Sequence, residues 1–197
     1  MRKTVVFDFD KTLTYKDSMR ELFLKEMVGC KYPLRIFYLL LSIFAKIGFI
    51  SVKREKEIMI SIAFRSNSSV FVEKCIQEAH SIKLTPIFEE VKKAIYNGDR
   101  VIILSATSVF ILNEIFKDIP VLIIGTTFMI NNNIISGIDQ HPSKDEKYSI
   151  LINKDVKLID EMYYDSSWDE CLIPLCKKWN RVKNGVIVMS VERSVVN

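Results

Sequence analysis

Apolar residues follow two rhythms along this chain. Near both ends they gather in short unbroken runs that stop at polar residues. From Asp17 to about Lys83 they recur only at helical spacing. Lys3 to Phe9 carries Thr4-Val5-Val6-Phe7, β-branched and apolar without alternation, which predicts a strand buried on both faces of a parallel sheet. It runs into Asp8-Phe9-Asp10-Lys11-Thr12. Asp17 or Ser18 can cap the first helix that follows, Pro33 can open a second, and Ser51 can cap a third bearing the charged run Lys53 to Glu57. Ser66-Asn67-Ser68-Ser69 is a polar break before a fourth.

Beyond Pro86 strands and helices alternate. Ile87 to Tyr96 is an amphipathic helix stopped by Asn97-Gly98, and Arg100 to Leu104 a buried strand ending at Ser105. A helix over Val109 to Phe116 precedes a strand over Pro120 to Ile124. Thr126 to Ile130 and Ile134 to Ile138 read as a hairpin around Asn131-Asn132-Asn133. Lys144 to Asn153 is helical, Val156 to Tyr164 holds a strand ending at Asp165, and a short helix from Trp168 to Cys176 and a strand from Gly185 to Met189 close the chain. The expected fold is α/β: a Rossmann-like parallel sheet flanked by helices, with an inserted all-helical cap. Residues 1–16 and 84–197 would form the core and 17–83 the cap.

With about half its 197 residues hydrophobic and a quarter charged, the chain should fold around one core. A net charge of +4 suits an anionic substrate or an acidic membrane surface and is too small to argue for nucleic acid. Cys30, Cys75, Cys171 and Cys176 lack metal or redox spacing and are expected to be buried reduced thiols of a cytoplasmic protein. No cleavable signal peptide is expected, because Arg2 and Lys3 lead into an apolar run that is too short and ends in acids. Tyr32 to Ile50 qualifies this picture. Broken only by Arg35, Ser42 and Lys46, it reads as a buried cap helix, an interfacial anchor or a membrane span.

Ligands of open α/β sheets bind outside the carboxyl ends of the strands, and the expected strands end at Asp8 and Asp10, at Ser105 and at Asp165. Two aspartates this close repel unless a proton or cation compensates, and Mg²⁺ favours carboxylate and phosphate oxygens. One carboxylate can attack phosphorus while the other protonates the leaving oxygen and then activates water. Each residue also has a plainer reading: polar turn residues for the Asp pair, a helix N-cap for Ser105, a capped helix start for Asp165 to Asp169.

Phe7-Asp8-Phe9-Asp10-Lys11-Thr12-Leu13-Thr14 resembles the first motif of haloacid dehalogenase-type phosphatases, two Asp around one residue with Thr two positions on. The resemblance implies Asp8 as nucleophile and Asp10 as general acid and base. It also implies Mg²⁺ held by the Asp8 carboxylate and the Asp10 backbone carbonyl, with Thr12 steadying the loop. Val101 to Ser105 is similar to the second motif, which implies a Ser105 hydroxyl and following amides, Ala106 first, on a phosphoryl oxygen. Asp165-Ser166-Ser167-Trp168-Asp169 is similar to the fourth: Asp165 would complete the metal shell and Asp169 would support it or the third-motif lysine. Lys144 and Lys147 both stand where that lysine is expected, and the spacing from Gly137 favours Lys147.

An all-helical cap between the first two motifs resembles the phosphoserine-phosphatase-like branch. The apolar Tyr32–Ile50 stretch and the ending Tyr163 to Val182 are similar to bacterial phosphatidylglycerophosphate phosphatases. The implied substrate is a phosphomonoester, either a lipid phosphate met at the inner face of the membrane or a small soluble one. The alternative to an enzyme is a non-catalytic membrane-binding module on the same fold, against which Asp8, Asp10, Ser105 and Asp165 speak. Simpler readings suffice elsewhere: His141 as a loop histidine, Trp168 and Trp179 as packing residues, Asp17 as a helix cap.

Overall fold

The computed structural model describes residues 2–27 and 32–193. β1 (Thr4–Phe7) lies at the centre of a six-stranded sheet, parallel to β2 (Arg100–Ser108) on one side and to β6 (Ile159–Tyr164) on the other. β3 (Leu122–Thr126) continues beyond β2 and β7 (Cys176–Lys183) beyond β6, both parallel. β8 (Val186–Glu192) closes that edge antiparallel. The strand order β3-β2-β1-β6-β7-β8 reverses direction beside β1, and such a switch point opens a crevice at the carboxyl ends of the strands.

Side chains of β1 alternate between two cores. Val5 and Phe7 pack with α5 (Phe88–Tyr96) and α6 (Val109–Ile115). Val6 packs with Ile102, Met162, Leu151 of α7 (Asp145–Asn153) and Leu172 of a 3-10 helix over Ser167–Leu175. This double burial is why Thr4 to Phe7 carries no polar alternation.

Four helices stand between β1 and α5: α1 (Ser18–Glu26), α2 (Tyr32–Lys46), α3 (Val52–Phe64) and α4 (Ser68–Ser81). Asp17, Ser51 and Asn67 each accept a hydrogen bond from the backbone N–H three residues on, capping α1, α3 and α4. The two ends of the insertion meet at a neck. Thr14 bridges to Leu84, the Thr85 N–H donates to Leu13 O at 2.8 Å, and the Thr85 hydroxyl donates to Thr12 O at 2.7 Å. The hairpin of β4 (Phe128–Asn131) and β5 (Ile134–Ile138) turns on Asn132 and Asn133, both left-handed as a two-residue turn requires. It leans on the helical insertion, with the Phe128 ring 5.1 Å from Phe71 and the Ile135 N–H donating to Ser66 O at 2.7 Å.

Several expectations need correction. β2 does not end at Ser105 but runs to Ser108, and Ser108, not Ser105, caps α6 by accepting from the Phe110 N–H at 3.2 Å. β7 is a strand that the apolar pattern missed. Its Lys177, Lys178 and Arg181 mask the strand signal, and buried Asn180 is satisfied by Glu161 and Ser190. Cys75 and Cys176 are buried thiols, Cys171 is only partly buried, and Cys30 lies outside the described residues. The Tyr32–Ile50 stretch is not a buried helix. Tyr38 and Leu41 point inward, but Ile36, Leu40, Ile43, Phe44 and Phe49 are exposed. Among the described residues no helix is long and apolar enough to cross a membrane.

Candidate active site

Register builds the site. Phe7 lies level with Ile103 of β2 and Tyr163 of β6, so Asp8, Ser105 and Asp165 all follow within two residues of one line across the sheet. The Asp8 N–H still donates to Tyr163 O at 2.9 Å, which holds the residue at the strand end. Beyond it the chain folds around the Phe9 carbonyl, which accepts from the N–H of Thr12, Leu13 and Thr14, and Lys11 takes a left-handed φ of 60°. Pairing of β2 with β3 passes from Leu104↔Ile124 directly to Ser108↔Thr126. This bulge frees Ser105, Ala106 and Thr107 from the ladder beside Asp8 and Asp10.

Lys147 comes from α7 on the opposite side of the sheet edge. Its ammonium donates to Asp8 Oδ1 at 2.9 Å and pairs with Asp169, all three side chains being buried. Burial alone would lower the Lys147 pKa, but the carboxylates of Asp8 and Asp169 hold it above the ordinary lysine range. Burial raises Asp8 well above the usual carboxylate range. Lys147 opposes that rise, and Asp169 and Asp165 add to it. Burial, then Asp169, raises Asp165 as well. Lys144 instead sets its ammonium 4.7 Å over the Trp168 ring.

Carboxylate oxygens of Asp8, Asp165 and Asp169 lie within 4.8 Å of one another. Three buried or half-buried acids, two of them paired with the single ammonium of Lys147, leave negative charge to neutralise. An all-oxygen donor set of this kind fits a hard divalent cation such as Mg²⁺. The Asp10 carboxylate points elsewhere. It accepts from the Thr107 hydroxyl at 2.6 Å and the Ser18 N–H at 2.9 Å. Burial, reinforced by Asp17, pushes its pKa up to about 6 against those hydrogen bonds. Thr12, also buried, directs its hydroxyl to Asp8 Oδ2 at 3.5 Å.

Two residues, Thr107 and Lys56, were missed in the sequence, and a third, His141, reads there as a loop histidine. Thr107 gathers the Ser105 and Ser18 hydroxyls around its own while donating to Asp10. The bulge that brings these hydroxyls together leaves no signal in the sequence. Lys56 of α3 reaches from the insertion to donate to Ala106 O at 2.7 Å, and nothing in its charged run set it apart from a solvated helix face. His141 is almost wholly buried. Because the Thr126 hydroxyl donates its single proton to Ala106 O at 2.7 Å, it accepts from His141 Nδ1, leaving Nε2 a lone-pair acceptor without a partner among the described residues. Burial, with Lys56, Lys53 and Lys147 nearby, lowers the His141 pKa to about 2. Asp17 serves as the α1 cap, and His80 pairs with Glu114 at 2.8 Å, away from the site.

A parallel sheet that gathers buried aspartates and one lysine at the carboxyl ends of its central strands defines an α/β enzyme of carboxylate chemistry. The chain belongs to the haloacid dehalogenase-like hydrolase family, whose model matches residues 5–160. No protein of curated function matches it. Among solved structures, a protein of unknown function from Bordetella pertussis Tohama I superposes with a TM-score of 0.73 at 18% identity, covering 88% of this chain and 87% of that one. A phospho-aspartyl intermediate analogue of phosphoserine phosphatase gives 0.67 at 16% identity, covering 92% and 88%. A phosphoserine phosphohydrolase-like protein from Francisella tularensis subsp. tularensis SCHU S4 gives 0.67 at 16%, covering 91% and 86%. At these identities the likeness is one of fold.

Proposed function

We propose that the chain is a Mg²⁺-dependent phosphatase that hydrolyses a phosphomonoester through an aspartyl-phosphate on Asp8. The observation that carries this reading is the Asp8–Lys147–Asp169 chain of contacts at the switch point of a haloacid dehalogenase-like hydrolase. In the first step an Asp8 carboxylate oxygen bonds to phosphorus, the bond to the leaving oxygen breaks, and Asp10 gives that oxygen its proton. A carboxyl raised to about 6 keeps a useful fraction of the acid form near neutrality. In the second step Asp10 takes a proton from water, whose oxygen attacks phosphorus and returns Asp8 as carboxylate with inorganic phosphate released.

Lys147 offsets the charge that builds between Asp8 and the phosphoryl oxygens, and Asp169 positions it. Ser105 and the Ala106 amide would bind a phosphoryl oxygen, and Thr12 would steady the Asp8 loop. Mg²⁺, held by Asp8, Asp165 and the Asp10 carbonyl, would supply further charge neutralisation at the phosphate. Residues 1–16 and 84–197 form the catalytic core on this reading, and 17–83 the cap. Lys56 is then the cap's own contribution to the site, a cation for an oxygen of the leaving group.

The proposed substrate is a lipid phosphate such as phosphatidylglycerophosphate, hydrolysed by a cytoplasmic protein at the inner face of the membrane. The apolar surface that α2 exposes supports this choice. Likeness of fold to phosphoserine phosphatases favours the second reading, a small soluble phosphomonoester. Phosphate release with Mg²⁺ over a panel of soluble and lipid phosphomonoesters decides between them. No release from any substrate would overturn both.

A further inference from the structure

We infer that the cap docks on an anionic bilayer surface through the outer face of α2 and the turn that ends it. This deepens the lipid-phosphate reading, but it rests on residues outside the catalytic machinery. A helix advances about 100° per residue. Ile36, Leu39, Leu40, Ile43 and Phe44 therefore fan out opposite Tyr38 and Leu41, the two residues that α2 buries. The exposures agree, between 41% and 57% for the five outer residues against 4% and 8% for the inner pair. The helix is thus apolar on both sides, and among the described residues only its inner side is covered.

The turn after α2 extends the same surface. The Phe49 N–H donates to Phe44 O at 2.9 Å and the Gly48 N–H to Ala45 O at 3.2 Å, with Gly48 at φ 87°. These bonds are a Schellman motif, which fixes the chain direction. Its usual hydrophobic contact is present as Phe44 against Phe49, ring centres 6.0 Å apart, yet Phe49 remains 78% exposed. An aromatic pair locked by backbone hydrogen bonds and offered to solvent is a wedge without a core to fill.

Charge selects the occupant. Between Glu26 and Glu55 the sequence has Lys31, Arg35, Lys46, Lys53 and Arg54 and no acidic residue. Arg35 and Lys46, about three helical turns apart, share one flank of the apolar face, and among the described residues neither forms an ion pair. Cations beside an apolar stripe match lipid head groups above acyl chains. A second copy of the chain would bring these cations against one another, with Glu55, which accepts from Ser42 of α2, offsetting them only in part. At 15 residues the helix fits lying in the interface rather than across it.

The test is co-sedimentation of the full chain with phosphatidylcholine vesicles, with and without phosphatidylglycerol, beside sedimentation velocity without lipid. Binding that needs phosphatidylglycerol and weakens with salt is expected. Ile43→Glu/Phe44→Glu should weaken it at least about tenfold. Arg35→Gln/Lys46→Gln should weaken it about five- to thirtyfold on anionic vesicles only. Circular dichroism and turnover of a soluble aryl phosphate should be unchanged in both variants. Absence of vesicle binding, binding indifferent to these substitutions, or a dimer that the Glu variants dissociate would each overturn the inference. Sedimentation does not depend on turnover, so failure here is distinct from failure of the phosphatase reading.

Discussion

Lys147 holds its ammonium 2.9 Å from Asp8 Oδ1, and the same ammonium is the only cation paired with buried Asp169 among the described residues. Lys147→Met strands two buried acids at once. Removing one partner of a buried ion pair costs about 3–5 kcal/mol, and losing a positioned charge at a phosphoryl centre costs about 10²–10³ in turnover. Urea unfolding and phosphate release should report both losses. Adding Asp8→Asn to the same chain should restore part of the stability and none of the activity.

Asp8→Asn alone should abolish turnover without unfolding the protein. An amide is not a competent nucleophile, and burial already works against the Asp8 charge. Thermal unfolding of the variant should lie at or above that of the parent. Turnover close to the parent value would remove Asp8 from the mechanism.

Chelation should abolish activity reversibly. Mg²⁺ should also raise the unfolding temperature in a concentration-dependent way, because an ion bound only by the native state stabilises it by mass action. Asp165→Asn should weaken that thermal shift, a readout that does not depend on turnover.

Lys56→Ala should separate substrates. Its charge-assisted hydrogen bond to Ala106 O ties α3 to the site, and such bonds contribute about 1.5–3 kcal/mol. A loss of about ten- to a hundredfold in kcat/KM is expected for a substrate with a polar leaving group, and much less for an aryl phosphate. Equal losses for both would make Lys56 a purely structural tie.

His141 gives stability a pH dependence of definite sign. Its native pKa is lowered to about 2, whereas an unfolded histidine titrates near about 6.5. Below that value the unfolded chain takes up a proton that the native chain refuses. Its contribution therefore falls as pH drops, by about 1.4 kcal/mol per unit. Between pH 7 and pH 5, His141→Gln should lose less stability than the parent in urea titrations. Parallel curves would show that the ring titrates in the native state.

Much of this was legible beforehand because a parallel sheet writes itself as uninterrupted apolar runs. Val5-Val6-Phe7 and Val101 to Leu104 announced their strands, and polar residues at the run ends marked the edge where the site lies. β7 was illegible because it is built from lysines, an arginine and a buried asparagine whose partners are remote in sequence. Thr107 and Lys56 were hidden for related reasons. The first depends on a bulge that only strand pairing reveals, and the second on α3 crossing from the insertion to Ala106. The exposure of α2 was undecidable from composition, since an apolar helix reads alike whether a neighbour covers it or not.

The neck at Thr12 to Thr14 and Leu84 to Thr85 has a consequence for how such an enzyme diversifies. The insertion leaves and rejoins the sheet at one stapled point, yet it also reaches the core through Ser18 on Asp10, Lys56 on Ala106 and Ser66 on the hairpin, so its content is constrained at those positions. Chemistry and the content of the insertion are thus coupled through those few residues. A foreign helical segment grafted between Tyr15 and Lys83 would have to keep equivalents of Ser18 and Lys56 to leave the frame beneath it intact.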